Sequence, residues 1–210
     1  MTDIKICGIS TVEALDAAIA AGASHVGFVF FAASPRHVTP ALAAGLAHRV
    51  PARVTRVGVF VDPDDALLDA AVAGGLDAIQ LHGREDAARI AAVKARYRLP
   101  VWRAAGVATR ADIDAAAAAA GSADLLLFDA KAPTGATLPG GNGVRFDWQL
   151  LGRGPARAWG LSGGLDAASV GAAIRGCRPA LVDVSSGVED APGVQSIVRI
   201  QDFIEAVRAA

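Results

Sequence analysis

His25-Val26-Gly27-Phe28-Val29-Phe30, then Ser34-Pro35-Arg36-His37, then Thr39-Pro40 opening an alanine-rich run to Arg49, then Arg56-Val57-Gly58-Val59-Phe60-Val61: the reading of this stretch decides the fold. Each short apolar run, bounded by turn residues, reads as a buried strand, and the alanine-rich run between them reads as an amphipathic helix. A helix between two strands carries the chain back to start the next strand in the same direction, so the strands pair parallel. Thr39 places a capping oxygen just before Pro40 at a first helical position, and Asp62-Pro63 repeats that pattern. Ser10-Thr11-Val12-Glu13 has the spacing of a capping box, with Glu13 three residues after Ser10.

The same alternation runs outward to both ends of the chain. Strands are expected near 4–7, 25–30, 56–61, 78–81, 101–104, 125–128, 158–160 and 181–184. Helices are expected near 11–21, 40–49, 64–73, 84–96, 110–120, 166–175 and 198–208, with a short helix around Phe146-Asp147-Trp148 supplying the missing one. Two closures suit such a chain, an open doubly wound sheet and a closed barrel. Eight strand–helix units favour the (β/α)8 TIM barrel, although 210 residues is small for one. Nothing resembling a linker divides the chain, so residues 1–210 are expected to form a single domain. The longest irregular stretch, 131–145, is rich in Gly, Pro and Thr, and long loops in compact domains are often functional lids.

Composition narrows the function classes. With 53% hydrophobic and 20% charged residues the chain folds rather than remaining disordered. A formal net charge of −1 gives no long-range pull toward nucleic acid or an anionic membrane, so neither is expected as a partner. Any anionic ligand must be held by local groups. The start, Met1-Thr2-Asp3-Ile4-Lys5, lacks the basic-then-apolar pattern of a secretory signal, and no apolar stretch reaches the roughly 18 residues of a membrane span. The alanine run 115–120, bounded by Asp114 and Gly121, reads as part of a helix. Cys7 and Cys177 do not make a disulfide framework. The expected location is the cytoplasm.

In a parallel barrel the catalytic groups sit at the C-terminal ends of the strands and in the loops that follow. That rule collects Cys7-Gly8, Ser34-Pro35-Arg36-His37, His82-Gly83, Asp129-Ala130-Lys131, Ser162-Gly163-Gly164 and the run from Asp183 to Gly187 on one rim. The opposite rim, for example Pro51-Ala52-Arg53, shows ordinary turn residues. Gly163-Gly164 lets backbone approach an anion closely, and Ser185-Ser186-Gly187 offers hydroxyls and N–H groups beside it. Either loop alone reads as a tight turn; both together, after strands seven and eight, point to a phosphate site.

Cys7 is either a buried small hydrophobe or, at its strand end, a thiol facing the barrel mouth. As a base it must be a thiolate, which requires surroundings that hold down its pKa. Asp129 follows Leu125-Leu126-Leu127-Phe128 and so stands at a strand end; it is either a structural acceptor or an acid kept protonated by burial or a neighbouring negative charge. Arg36 is a surface charge or a guanidinium suited to a carboxylate through paired hydrogen bonds. His82 is evenly divided between a satisfied strand-end histidine and a site residue. His25 and His48 read as structural, His37 is open, and Cys177 reads as a packing residue. No His/Cys/carboxylate spacing suggests a metal site, and no G-x-G-x-x-G opens a helix, so neither metal nor dinucleotide is expected.

Lys5-Ile6-Cys7-Gly8, Gly27-Phe28-Val29-Phe30 with Ser34-Pro35-Arg36, Gln80-Leu81-His82-Gly83, Gly140-Gly141-Asn142-Gly143 with Phe146-Asp147-Trp148, and Leu161-Ser162-Gly163-Gly164-Leu165 together resemble the phosphoribosylanthranilate isomerase family. Val182-Asp183-Val184-Ser185-Ser186-Gly187-Val188-Glu189 is the most specific match, and the resemblance covers essentially the whole chain. It implies a (β/α)8 barrel without metal or organic cofactor, working on a small phosphorylated substrate in tryptophan biosynthesis, as a monomer or homodimer. The implied reaction is the Amadori rearrangement of N-(5-phosphoribosyl)anthranilate to its 1-deoxyribulose phosphate product. Carried over by motif, Asp129 is the general acid on the furanose ring oxygen and Cys7 the general base at sugar carbon two. Arg36 holds the anthranilate carboxylate, His82 and Asp183 line the site, and Gly163, Gly164, Ser185, Ser186 and Gly187 hold the phosphate. Asn142 stands where the family more often has threonine, and Asp166 where asparagine is expected.

Neighbouring readings are weaker. The related histidine-pathway isomerase leads one to expect an aspartate where this chain has Cys7. Indoleglycerol phosphate synthase needs strand-borne lysines in the site, and none is evident. A barrel that only binds phosphorylated metabolites has no use for both Cys7 and Asp129.

Overall fold

The computed structural model of the chain describes residues 2–132, 135, 138, 140, 141, 143, 145–152 and 154–210. Its strands are β1 (Asp3–Cys7), β2 (His25–Phe30), β3 (Thr55–Phe60), β4 (Ala78–Leu81), β5 (Val101–Val107), β6 (Leu125–Ala130), β7 (Trp159–Leu161) and β8 (Leu181–Val184). They pair in chain order, all parallel, and β8 returns to pair with β1, so the sheet is a closed barrel. Between them lie α1 (Val12–Ala21), α2 (Pro40–Ala47), α3 (Asp65–Ala73), α4 (Ala87–Tyr97), α5 (Arg110–Ala119) and α6 (Val170–Cys177), and α7 (Ile197–Arg208) follows the last barrel strand. A 3-10 turn, Trp148–Leu151, stands between β6 and β7, where the short helix was expected. A small antiparallel hairpin, β9 (Glu189–Ala191) with β10 (Val194–Gln195), lies between β8 and α7 and was not anticipated.

Local chemistry explains the helix starts, including those that differ from expectation. Thr39 caps α2 by accepting from Leu42 N–H, with Pro40 just inside the helix. At α1 the cap is Thr11, not Ser10, and it accepts from Ala14 N–H; the expected capping box is therefore out of register. Asp62 does not cap α3: its backbone has φ +46, its carboxylate accepts from Arg84 N–H, and Asp64 takes the cap. The helix expected from 84 begins at Ala87 because Glu85 turns inward, accepting from the N–H groups of Asp62 and Gly83. That expected from 166 begins at Val170, since Asp166 and Ser169 close a turn on each other's backbone N–H.

Two-residue alternation sorts each strand into an outer and an inner face. Ile4, Ile6, Val26, Phe28, Phe30, Phe60, Ile79, Leu81, Leu126 and Phe128 join the layer between barrel and helices. Phe30 and Phe60 stack there with centroids 4.9 Å apart, worth about 0.5–1.5 kcal/mol beyond the area they bury. Inside the barrel, Val57, Ala78, Trp102, Ala104, Leu127 and Leu181 pack as one apolar plug. Above the plug, toward the strands' C-terminal ends, Cys7, Val29 and Val59 form a second small cluster. The same parity turns Lys5, Cys7, Gln80, Asp129 and Asp183 inward.

Candidate active site

A cavity of about 780 Å³ opens at the C-terminal end of the barrel. Cys7 and Asp129 both line it, as do Arg36, His82, Asp183, Gly163, Gly164, Ser185 and Ser186. Among the described residues of the 131–145 stretch, Leu138, Gly140, Gly141 and Gly143 also line it. Asn142 lies outside the described residues. Gly187 lines no part of the cavity. It is packed against Leu165, whose carbonyl a side chain at 187 would overlap, so this glycine brings the loops after β7 and β8 into contact.

Cys7 ends β1 with its side chain buried and its carbonyl accepting from Gln195 Nε2 at 3.0 Å. Room for the sulfur comes from Gly27, its register partner on β2, where a Cβ would stand 2.9 Å from Sγ. Burial pushes the Cys7 thiol above its ordinary value; Lys5 pulls it partly back, and Asp183 pushes it up again. The sequence reading required surroundings that hold the thiol down; Lys5 and Arg36 act in that direction, and desolvation outweighs them.

Lys5 is the strand-borne lysine that the sequence reading did not place. It is fully buried, and its Nζ donates to Asp183 Oδ1 at 2.9 Å across the β1–β8 seam. A cation and a carboxylate so removed from water stabilise each other only as a pair, and removing one partner typically costs about 3–5 kcal/mol. Lys5 does not line the cavity; it lies beneath Cys7 on the same strand face. The second oxygen of Asp183 faces Ser162 Oγ at 3.4 Å.

Asp129, on β6, is buried. Its Oδ1 accepts from Ala130 N–H at 2.8 Å, while Oδ2 stands 3.3 Å from His82 Nε2 without the alignment of a hydrogen bond. On the other side of the imidazole, Nδ1 is 3.5 Å from Gln80 Nε2. Gly140 closes over this pair, and a Cβ there would overlap Asp129 Oδ2. Gly163, at φ +88, comes equally close to Ala130 N. Backbone from two loops thus approaches the carboxylate as only glycine allows.

Arg36 is buried and engaged. Its Nε and Nη2 donate to Glu189 at 2.6 and 2.8 Å, a paired arrangement that fixes the guanidinium plane. Gly8, at φ +84, leaves space for the arginine stem across the end of β1. Among the described residues Nη1 has no hydrogen-bond partner, so one edge of the fork remains for a ligand while the other is held by the protein. On another side of the mouth, Gly163 and Gly164 have φ of +88 and +63, a conformation that turns N–H groups toward an anion. Ser185 Oγ, buried there, has no hydrogen-bond partner among the described residues. Arg145 ties this region to the preceding loop, donating to Gly164 O at 2.6 Å and pairing with Asp166.

The remaining histidines and the second cysteine stand apart. His25 packs on Trp102 at 5.4 Å, and burial lowers its pKa to about 4. His48 caps the end of α2, His37 is exposed, and Cys177 is buried in α6, donating to Ala173 O. Lys5, Gln80, Glu189 and Gln195 were missed in the sequence. For Lys5 and Gln80 the signal was there: each stands two residues from a rim residue, Cys7 or His82, on a strand whose alternate positions are apolar.

A family model described as N-(5'phosphoribosyl)anthranilate (PRA) isomerase matches residues 4–206. The N-(5'-phosphoribosyl)anthranilate isomerase of Paracoccus denitrificans (strain Pd 1222) is 56% identical over 208 residues, covering 98% of this chain and 97% of that protein. A phosphoribosyl anthranilate isomerase solved in complex with reduced 1-(o-carboxyphenylamino)-1-deoxyribulose 5-phosphate is 34% identical, with a TM-score of 0.83 over 100% of both chains. A structure described as mutually generated monomers of dimeric phosphoribosylanthranilate isomerase from Thermotoga maritima superposes with a TM-score of 0.84 at 36% identity, again over 100% of both chains.

Proposed function

We propose, from the premise that this chain belongs to the N-(5'-phosphoribosyl)anthranilate isomerase family, that Cys7 and Asp129 are the base and the acid of its reaction. The reaction is the Amadori rearrangement of N-(5'-phosphoribosyl)anthranilate in tryptophan biosynthesis, an aldose–ketose isomerisation. It moves protons within one molecule and asks for an acid and a base at different points of the sugar, each typically contributing about 10²–10⁴-fold. Asp129 in its protonated form donates to the furanose ring oxygen; the bond from that oxygen to carbon one breaks and a Schiff base forms. The Cys7 thiolate then takes the proton from carbon two, leaving an enolamine that tautomerises to the ketone.

The observation that carries this reading is the convergence of both side chains on one cavity, from strands one and six. The free edge of Arg36 suits the anthranilate carboxylate, and the glycine and serine loops after β7 and β8 suit the phosphate. Holding both anionic ends fixes the sugar between acid and base. His82 and Asp183 line the same cavity, His82 beside the acid and Asp183 beneath the base. Lys5 lies under the cavity rather than on its wall, so its presence does not favour a lysine-dependent ring closure.

A fluorescence assay following consumption of freshly made phosphoribosylanthranilate tests the assignment. Folded Cys7→Ser and Asp129→Asn proteins should both turn over substrate orders of magnitude more slowly; near-normal turnover in either removes that residue's role. We place the enzyme in the cytoplasm, as a monomer or homodimer. Among the described residues no helix is long and apolar enough to cross a membrane, and the Thermotoga relative is described as dimeric. Sedimentation of the purified protein distinguishes the two states.

A further inference from the structure

We propose that Lys5 is a positioning residue for the Cys7 base: its ammonium, anchored on Asp183 beneath the cavity floor, is the counter-charge that lets the sulfur exist as an anion. The proposal rests on the reading of Cys7 as the base and extends it to Lys5, which does not line the cavity.

Three observations support it. Lys5 and Cys7 are two apart on β1, so their side chains share the inward face. Gly27 opens one space for both: a Cβ at that position would stand 2.9 Å from Cys7 Sγ and 3.2 Å from Lys5 Cε. Lys5 also sits directly above an otherwise apolar plug, where an uncharged side chain would pack without desolvating an ammonium. An ammonium carries three donors, and Asp183 occupies one at 2.9 Å. Asp3 and the thiol are the other polar groups on Lys5's own strand face, and of the two the thiol is the one buried with it.

The charged groups around the sulfur come from several elements: Lys5 from β1, Asp183 from β8, and Arg36 from the loop after β2. His82 and Asp129 face it across the cavity from β4 and β6. Burial disfavours the thiolate most; against it, Lys5 is the strongest of the stabilising charges, Asp183 opposes, and Arg36 adds a smaller pull. In the isomerisation the C–H bond at carbon two breaks and an S–H bond forms. The electron pair moves into the enolamine, and the proton stays on sulfur until product forms. Lys5 exchanges no proton in this step. It lowers the energy of the anionic sulfur before it and keeps Asp183 from repelling that anion.

The opposed signs of Lys5 and Asp183 give the test. The titration of Cys7 is followed by the ultraviolet absorbance of its thiolate in the substrate-free protein, with a Cys7→Ser protein as the blank for Cys177. Lys5→Met should raise the midpoint by roughly one pH unit or more, the usual effect of losing an opposite charge at such range. Asp183→Asn should lower it. The ascending limb of kcat/KM against pH should move with each midpoint, so Lys5→Met loses about tenfold or more near neutrality and regains activity in alkali. Should Lys5→Met fail to fold with Asp183 left uncompensated, the Lys5→Met/Asp183→Asn double variant replaces it, and its midpoint should also rise. A midpoint that stays in place or falls in the folded Lys5 variant, or a kcat/KM lowered equally at all pH values, overturns the proposal. Because the absorbance needs no substrate, this outcome is separate from failure of the base assignment, which the turnover of Cys7→Ser decides alone.

Discussion

Asp77 and Asp124 stand just before β4 and β6, at the N-terminal end of the barrel, and both are saturated. Asp77 accepts from the backbone N–H of Arg56 and from both arms of its guanidinium at 2.6 Å. Asp124 accepts from Val101 N–H and from Lys94 Nζ. At the C-terminal end of the same staves the bookkeeping is left open. Gln80 Oε1, His82 Nε2 and Ser185 Oγ are buried, line the cavity and have no hydrogen-bond partner among the described residues. A buried polar atom without a partner forfeits about 1–3 kcal/mol. Asp77 and Asp124 therefore serve the barrel's own stability, whereas the three atoms at the other end are placed where a ligand can satisfy them.

Four substitutions break or sharpen that contrast. Asp129→Asn, at the open end, should lower kcat by about 10²–10⁴-fold with the melting temperature nearly unchanged; a loss of stability in place of turnover would assign this carboxylate to the structural end. Arg36→Lys keeps the charge but loses the fork that Glu189 orients, so KM should rise about tenfold or more with a smaller change in kcat. At the closed end, Asp77→Ala should cost about 1 kcal/mol of stability, kept small because its side chain is more than a third exposed, and leave kcat/KM as it was. Smallest is Ser185→Ala: its hydroxyl has no partner among the described residues, so stability should not fall and should rise slightly, while KM rises roughly two- to tenfold. Thermal melts and initial-rate kinetics on the same preparations read all four.

The closed end also makes a pH prediction. Burial pushes the carboxyls of Asp77 and Asp124 upward, but hydrogen bonds from Arg56 to the first, and from Lys94 and Val101 N–H to the second, outweigh it and hold both below the usual range. A carboxyl depressed in the folded state contributes stability fully above its unfolded value of about 3.9 and loses it as pH falls through the folded value. Wild type should therefore lose more stability between about pH 4 and pH 2 than Asp77→Ala does. Denaturant titrations at those two pH values check the difference.

Strand order and closure were legible because short apolar runs such as Val26 to Phe30, alternating with alanine-rich helical stretches, can be read locally. Boundaries were less so. β5 was expected to end at Ala104 and continues to Val107, because pairing with β6 extends through Gly106 and Asp129, a contact that no local pattern announces. The same pairing carries Asp129 inside β6 rather than after it. Of the site, the residues at strand ends were found by rule, whereas Glu189 and Gln195 were not. They belong to the β9–β10 hairpin, whose residues Glu189-Asp190-Ala191 have no strand-like pattern, and their partners Arg36 and Cys7 lie 153 and 188 residues away. Lys5 was quoted within a motif but given no role, although the spacing that turned Cys7 inward turned it inward too.

Those separations have a consequence for how the protein comes into being. Lys5 meets Asp183, Arg36 meets Glu189 and the Cys7 carbonyl meets Gln195, so groups made early wait for partners 153 to 188 residues further along the chain. A nascent chain that has emerged only as far as its seventh stave holds an uncompensated ammonium and guanidinium and no phosphate pocket. The barrel's chemistry is thus withheld until the eighth stave and the hairpin after it have been made.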